Sequence, residues 1–391
     1  MTRPRHAGER RLPLRAAIAL AYGAQFFALG IYLPFFPVWL TDRGLDAREI
    51  GLALAVPLAT RLLSTPLLGL LSDRLGRPKA LLTVLAAFTA LTMSLLAVME
   101  TRLAILLLLG IAALAWNPGF ALLDSYATRQ ARAGRIDYGR SRLWGSVAFV
   151  AANVGGGLMV ERLGAPSVVV LMASGYFAYL AATFTLPELP RVRAPAHSVQ
   201  REAHARAILV WGVLAAALIQ ASHATLYAFS SLHWSRGGLS MAAVGGLWSI
   251  GVISEIVVFR FGTVLVRRVG PVGLLAAGAV IAVVRFCGLA LDPDLPVLLL
   301  LQMLHGGTFG ATYLGQVQLI ARYAPEHRSA GAQSLAAWTV TLAMSAASLA
   351  SGPLWSAFGP GTFIVSAGLA AIGGLLAMGA WRSKANAYTK S

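Results

Sequence analysis

The sequence predicts an all-α integral membrane protein of about twelve transmembrane helices in two six-helix bundles, and three observations predict it. The first is composition: 57% of the 391 residues are hydrophobic and 12% charged, with a mean hydropathy of +0.70. That is more apolar surface than a water-soluble fold buries. The second is that apolar stretches of about 20 residues, the length that crosses a hydrocarbon core, recur along the whole chain. The third is a faint internal repeat, in which the stretch 44–76 falls on 238–270 without a gap. Its ends match as Gly44-Leu45 on Gly238-Leu239 and Arg74-x-Gly76 on Arg268-x-Gly270; in its middle, Arg61 lands on Glu255.

Backbone groups left unpaired in lipid are costly, so each stretch is expected to be a helix. A basic tail leads into the first, 15–40, which is too long for a signal-peptide core and lacks a small-residue cleavage pattern; it reads as a retained helix. The second, 48–72, carries Pro57 and Pro66, and the fourth, 103–128, carries Pro118. Prolines of this kind bend membrane helices. Between those two lies 78–99. The fifth, 141–162, contains Gly155-Gly156-Gly157, small residues that let helices approach closely, and 167–187 completes the first half. The longest polar connection follows, 188–206, with Pro190, Pro195 and four basic residues. It is the natural linker between an N-terminal bundle, 1–187, and a C-terminal bundle, 207–391. The second half supplies 207–232, 241–266, 271–291, 295–321, 331–355 and 361–381.

The formal net charge of +17 is explained by where the cations lie. With the N-terminus placed in the cytoplasm, 24 Lys and Arg fall in cytoplasmic segments and five, Arg43, Arg48, Arg102, Arg162 and Arg236, on the other side; Arg61, Arg260 and Arg285 are inside spans. This is the positive-inside pattern, which places both termini inside and needs no nucleic acid as partner. Cys287 is the one cysteine, so neither an intramolecular disulfide nor a thiolate cluster is expected, and no metal or cofactor is called for.

An ionisable residue inside an apolar span costs about 2.5–3.5 kcal/mol on insertion scales and usually has a function. Charges at matching depths in a duplicated membrane unit read as a transporter built from related halves. Glu255 has two readings: a substrate- or proton-binding acid, or the acid of a permanent ion pair with Arg142 or Arg285. Arg61 either lines the cavity or pairs structurally. His305 either hydrogen-bonds a ligand and titrates or packs; His223 reads as a helix–helix hydrogen-bond partner and Arg260 as structural. Trp248 lies seven residues before Glu255, on the same helical face, where its ring can stack on a flat substrate or pack in the core. Tyr32 and Tyr227 stand at related places in the first and seventh spans, each seven residues before a Trp (Trp39, Trp234) that reads as an interface marker.

The loop Gly69-Leu-Leu-Ser-Asp73-Arg74-Leu-Gly76-Arg77-Pro-Lys79 resembles the signature loop of the major facilitator superfamily. Gly76 permits a tight turn, Asp73 can accept hydrogen bonds at a helix end, and the basic residues hold the loop inside. In that superfamily the loop latches the cytoplasmic side, so the resemblance implies a gating role for Gly69, Asp73, Arg74, Gly76 and Arg77. The degenerate copy at Arg267-Arg268-Val-Gly270 lacks the acid. Asp124, eighteen residues before Arg142 in Tyr138-Gly139-Arg140-Ser141-Arg142, resembles the charge pair of the lactose permease and phenylpropionate permease branch, where it sits at the substrate site. Arg285 and His305 are spaced as in that branch, and Glu255 occupies the same span as its second substrate-binding acid. Two positions depart from it: Thr308 stands where the sugar permeases carry a proton-bearing glutamate, and Gln302 replaces a lysine. The run Leu304-His305-Gly306-Gly307-Thr308-Phe309-Gly310 is closer to the phenylpropionate relatives.

The resemblance implies a secondary transporter for a small organic solute: an aromatic or other organic acid, a sugar or a nucleoside. It implies proton-coupled symport by alternating access in a bacterial-type inner membrane, by a monomer. Substrate contacts are expected from Arg61, Asp124, Arg142, Glu255, His305, Tyr32, Tyr227 and Trp248, with Glu255, Asp124 and His305 as proton carriers. A drug/proton antiporter is the nearest alternative, although residues 15–40 contain no acid and the fifth span no Gly-Pro pattern. A non-transporting membrane scaffold is the alternative from another class. An intramembrane enzyme is disfavoured, because no His-Glu-x-x-His or comparable cluster occurs.

Overall fold

The computed structural model describes residues 12–188, 203–324 and 329–388, and every regular element among them is helical. The first half consists of α1 (Leu14–Asp42), α2 (Ala47–Leu75), α3 (Pro78–Leu96), α4 (Arg102–Arg132), α5 (Tyr138–Leu163) and α6 (Ser167–Thr185). The second half begins with α7 (Ala203–Ala221) and α8 (Ala224–Arg236), then α9 (Met241–Arg260) and α10 (Gly262–Ala290). It ends with α11 (Leu295–Met303), a π-helical turn (Gly306–Gly310), α12 (Ala311–Tyr323), α13 (Ser329–Phe358) and α14 (Thr362–Tyr388). Eleven stretches are long and apolar enough to cross a membrane. The last, Gly331–Ser383, has 53 residues, about 80 Å of helix at 1.5 Å per residue and too long for one crossing. It divides at a 3₁₀ turn, Gly359–Gly361, where Gly359 takes φ +52°. The described residues therefore make twelve crossings, six in each half.

Three expected boundaries are corrected. The eighth crossing ends at Arg260 rather than 266, and a short helical piece follows until Gly270, whose φ of 74° and ψ of 165° interrupt α10 just before Pro271. The seventh crossing, expected to be continuous, breaks at Ser222–His223 between α7 and α8. The tenth, also expected to be continuous, is broken by the π turn. Most of the linker read at 188–206 lies outside the described residues; helix resumes at Ala203.

The internal repeat has a physical basis in turn chemistry. Gly44 and Gly238 take φ +78° and +95°, and Gly76 and Gly270 take +62° and +74°, a region where a Cβ is penalised. Asp46 and Ser240, one repeat apart, both cap the next helix by accepting from the backbone N–H three residues on, replacing a helix-start hydrogen bond. At Asp46 the Glu49 side chain returns a bond, completing a capping box.

In the first bundle α1 packs on α5 and α6, and α3 on α4 and α6; in the second, α14 packs on α7 and α10. The bundles meet along two related seams, α2 against α13 and α5 against α9. Both seams are made where glycines let backbones touch. A Cβ on Gly245 or Gly157 would collide with the Asn153 or Met241 carbonyl across the α5–α9 seam; on Gly51 or Gly352 it would strike Ser348 or Ala47 across the other. Of the glycine run read in α5, Gly157 makes the inter-bundle contact, Gly156 packs on Ile31 and Phe35, and Gly155 meets nothing within 4 Å. Seam hydrogen bonds lie at the same end: Ala242 N to Glu161 Oε2 (3.2 Å), Ser249 Oγ to the Val150 carbonyl (3.5 Å) and Ser345 Oγ to the Ala55 carbonyl (3.2 Å). The molecule is thus sealed at the end that carries Gly44 and Gly238. The cavity between the bundles opens toward the end that carries the Arg74–Lys79 loop. Trp39 and Trp234, read as interface markers, are instead buried near the sealed end.

Candidate functional site

Two polar clusters face each other across this cavity, one in each bundle. In the first, Asp124 on α4 is half-exposed and accepts hydrogen bonds at Oδ1 from the hydroxyls of Tyr22 (2.6 Å) and Tyr138 (3.2 Å). Arg142 on α5 approaches the same oxygen only to 3.9 Å through Nε, the outer limit of an ion pair. Its guanidinium lies 3.9 Å above the centre of the Phe26 ring, a cation–π contact. A Cβ at Gly145 would come within 3.2 Å of Arg142 Nη1, so the glycine leaves room for the head group to lie there. Phe120 meets Phe26 edge-on, with ring centres 5.4 Å apart. Among the described residues the Nη groups of Arg142 therefore have no hydrogen-bond partner. Arg61, in the middle of α2, has no hydrogen bond or ion pair among the described residues either. Arg61 is exposed, as is Tyr313 on α12 of the opposite bundle.

The second cluster is more tightly built. Arg285 on α10 is fully buried. It donates from Nε to the Leu301 carbonyl (2.9 Å), from Nη2 to Gln302 Oε1 (2.8 Å), and from Nη1 to His305 Nδ1 (2.9 Å) and Thr308 Oγ1 (3.3 Å). A guanidinium only donates, so His305 Nδ1 must accept, and the ring hydrogen of the neutral imidazole sits on Nε2. That nitrogen is 2.8 Å from Glu255 Oε1. Of the two arginines weighed as partners for Glu255, neither touches it: His305 does, and Arg285 lies one imidazole further back. Gly306 makes this contact possible, since a Cβ there would collide with the Ser254 backbone, and its N–H donates to Ser254 Oγ (2.7 Å). The glycines after His305 thus bring the tenth crossing against α9 at the level of Glu255.

The remaining expected contacts fall further back. Trp248 is buried, stacked on Tyr227 with ring centres 5.8 Å apart, and its indole N–H donates to Ser231 Oγ (2.9 Å). The stacking partner is therefore Tyr227 rather than an open face. Tyr32 is buried against Phe36 and Trp116. His223, read as a helix–helix partner, hydrogen-bonds Thr308 (2.9 Å). In the signature-like loop, Gly76 closes α2 in the left-handed conformation, Lys79 Nζ donates to the Phe184 carbonyl (3.3 Å) at the end of α6, and Arg74 and Arg77 are exposed. Gly69 meets nothing within 4 Å, and the Asp73 side chain lies outside the described part. Tyr22, Phe26 and Tyr313 were not picked out from the sequence. Tyr22 and Phe26 stand one helical turn apart, a visible pair, but periodicity alone does not say which helix that face meets.

Residues 16–365 match the profile of the MFS_1 like family. The probable 3-phenylpropionic acid transporter of Escherichia coli (strain K12) is 33% identical over 312 residues, covering 78% of this chain and 81% of the relative. The maltose permease of Geobacillus stearothermophilus is 27% identical over 349 residues, 84% and 86% of the two chains. The crystal structure of the nucleoside transporter NupG superposes with a TM-score of 0.79 at 18% identity, covering 95% of this chain and 99% of that one.

Proposed function

The chain belongs to the MFS_1 like family of major facilitator transporters, and from that premise we propose that it imports a small aromatic or other organic carboxylate together with a proton. Its family and relatives are multi-pass membrane transporters, not enzymes. The observation that carries the substrate class is the pair of guanidinium groups: Arg61, exposed and with no hydrogen bond or ion pair among the described residues, and Arg142, which Asp124 approaches no closer than 3.9 Å at Nε and whose Nη groups carry no hydrogen bond among them. A guanidinium fork binds a carboxylate through two parallel hydrogen bonds, and Phe26 and Phe120 offer ring faces beside it. The 33% identity to a protein named as a probable 3-phenylpropionic acid transporter points the same way.

Coupling follows from charge balance. The cavity groups Arg61, Arg142 and Arg285 exceed Asp124 and Glu255 by one positive charge. Protonating Glu255 removes the negative charge that balances Arg285 through His305, and so favours an incoming anion. By linkage the anion favours the proton equally. With the basic loops in the cytoplasm, both termini are cytoplasmic in an inner membrane and the open cavity faces inward. The bundles 1–187 and 207–391 then rock about the site, joined by 188–206.

Thermal-shift titration of the purified protein tests the substrate class. Phenyl-substituted carboxylates are expected to raise Tm, while their amides are not. Arg142→Gln should weaken binding by about 10- to 100-fold, the size of a charged hydrogen-bond pair, and Arg61→Gln by about tenfold. Stabilisation by sugars or nucleosides with no response to carboxylates would overturn the assignment.

A further inference from the structure

Two crossings of the second bundle lose regular helical backbone near their middles, the seventh at Ser222–His223 and the tenth at the Gly306–Gly310 π turn. Irregular backbone at membrane depth is tolerated where it is buried in protein or lines a cavity, and π turns gather at functional sites. One hydrogen bond joins these two breaks: His223 Nε2 lies 2.9 Å from Thr308 Oγ1, and both residues are fully buried.

The direction of that bond is fixed from outside. His223 Nδ1 lies 3.1 and 3.2 Å from the carbonyls of Ile219 and Gln220 at the end of α7. Carbonyls only accept, so Nδ1 carries the hydrogen and Nε2 of the neutral ring is an acceptor. Thr308 must then donate its single hydrogen to His223, which turns its lone pairs toward Arg285 Nη1, 3.3 Å away. Arg285 fixes the next link by donating to His305 Nδ1, and His305 Nε2 donates to Glu255. The hydrogen bonds therefore run outward from Arg285 in both directions, through Thr308 and His223 to the α7 carbonyls and through His305 to the Glu255 carboxylate. Among the described residues, the charged and titratable groups around these hydrogen bonds are Glu255 from α9, Arg285 from α10, His305 from the tenth crossing and Tyr227 from α8, with Arg142 of α5 facing Glu255 from the opposite bundle.

We propose that His223 and Thr308 are positioning residues for the proton-bearing carboxyl: they hold Arg285 on His305, and thereby keep the His305 N–H aimed at Glu255. The proposal rests on the reading of Glu255 as the proton carrier. Without the His223 acceptor, the Thr308 hydrogen turns to the His305 carbonyl, 3.1 Å away in its own helix, and Arg285 loses an aimed lone pair.

The test uses the full-length protein in membrane vesicles and two readouts: accumulation driven by an imposed pH gradient, and substrate exchange at equal pH, which needs no net proton movement. The probe is radiolabelled 3-phenylpropionate, or whichever carboxylate the thermal-shift titration selects. His223→Leu and Thr308→Val should each lower gradient-driven accumulation about tenfold, the size of one hydrogen bond to a charged group, and leave exchange within about twofold. Their double variant should be no worse than either single, because they act as one chain. Thr308→Ser and His223→Gln keep the hydroxyl and an acceptor at the right reach, and should restore accumulation. Equal loss of both readouts, or full accumulation in Thr308→Val, overturns the proposal. Glu255→Gln separates it from its premise: if that variant alone loses coupling, the positioning role is wrong; if it too retains coupling, the premise is wrong.

Discussion

Glu255→Gln is expected to abolish uphill uptake while exchange continues. Glutamine keeps an oxygen where Glu255 Oε1 now accepts from His305 Nε2 at 2.8 Å, so the contact between α9 and the tenth crossing should persist. The exchangeable proton and the negative charge are lost. One pH unit corresponds to about 1.4 kcal/mol per proton, so symport of one proton per substrate sustains a concentration ratio of about ten across that gradient. In the variant the ratio should fall to about one, with exchange rates near those of the parent. A variant that still concentrates substrate would show that the proton travels elsewhere, and Asp124→Asn would then be the next substitution to measure.

Gly245→Trp should stop net transport altogether while leaving substrate binding intact. Residue 245 faces the Asn153 backbone so closely that even a Cβ would collide with it, and an indole there forces α5 and α9 apart. Over-packing a close contact costs about 1–3 kcal/mol, which shifts the population of the sealed state by roughly 5- to 150-fold. Gly352→Trp acts on the matching seam and should behave alike. Gly246→Ala is the control, because nothing lies within 4 Å of it; it should transport normally. Cross-linking reports the seam directly. In a Cys287→Ser background, Glu161→Cys with Ala242→Cys should join the bundles in the parent sequence and fail to join them beside Gly245→Trp. Efficient cross-linking with normal transport in the tryptophan variant would show that the seam is not a gate.

Much of the architecture was legible because the bilayer fixes helix length and leaves few ways to satisfy backbone groups. The repeat was legible too, since Gly44, Gly76, Gly238 and Gly270 occupy positive-φ positions that the chain must keep to turn. The acid–arginine spacing pointed to Asp124 and Arg142, which the structure brings onto one cavity face. What the sequence did not yield was partnership. Glu255 meets a histidine fifty residues away rather than an arginine, because that contact depends on Gly306 removing a side chain between two helices. The breaks at Ser222–His223 and Gly306–Gly310 were missed for a related reason. Hydropathy averages over a crossing and carries no sign of a local change in hydrogen-bond register. The small-residue run after His305 is the one hint of a bend that the sequence carries there.

The glycine seams also bear on speed. Backbone lies on backbone there, with hydrogen bonds of 3.2–3.5 Å, and among the described residues no ion pair crosses either seam. Such a contact has a low barrier to separation, so parting the seams need not limit turnover. On the proposed role of Glu255 as proton carrier, the slow step of the cycle is then expected at the buried Arg285 cluster, whose hydrogen bonds lead through His305 to Glu255.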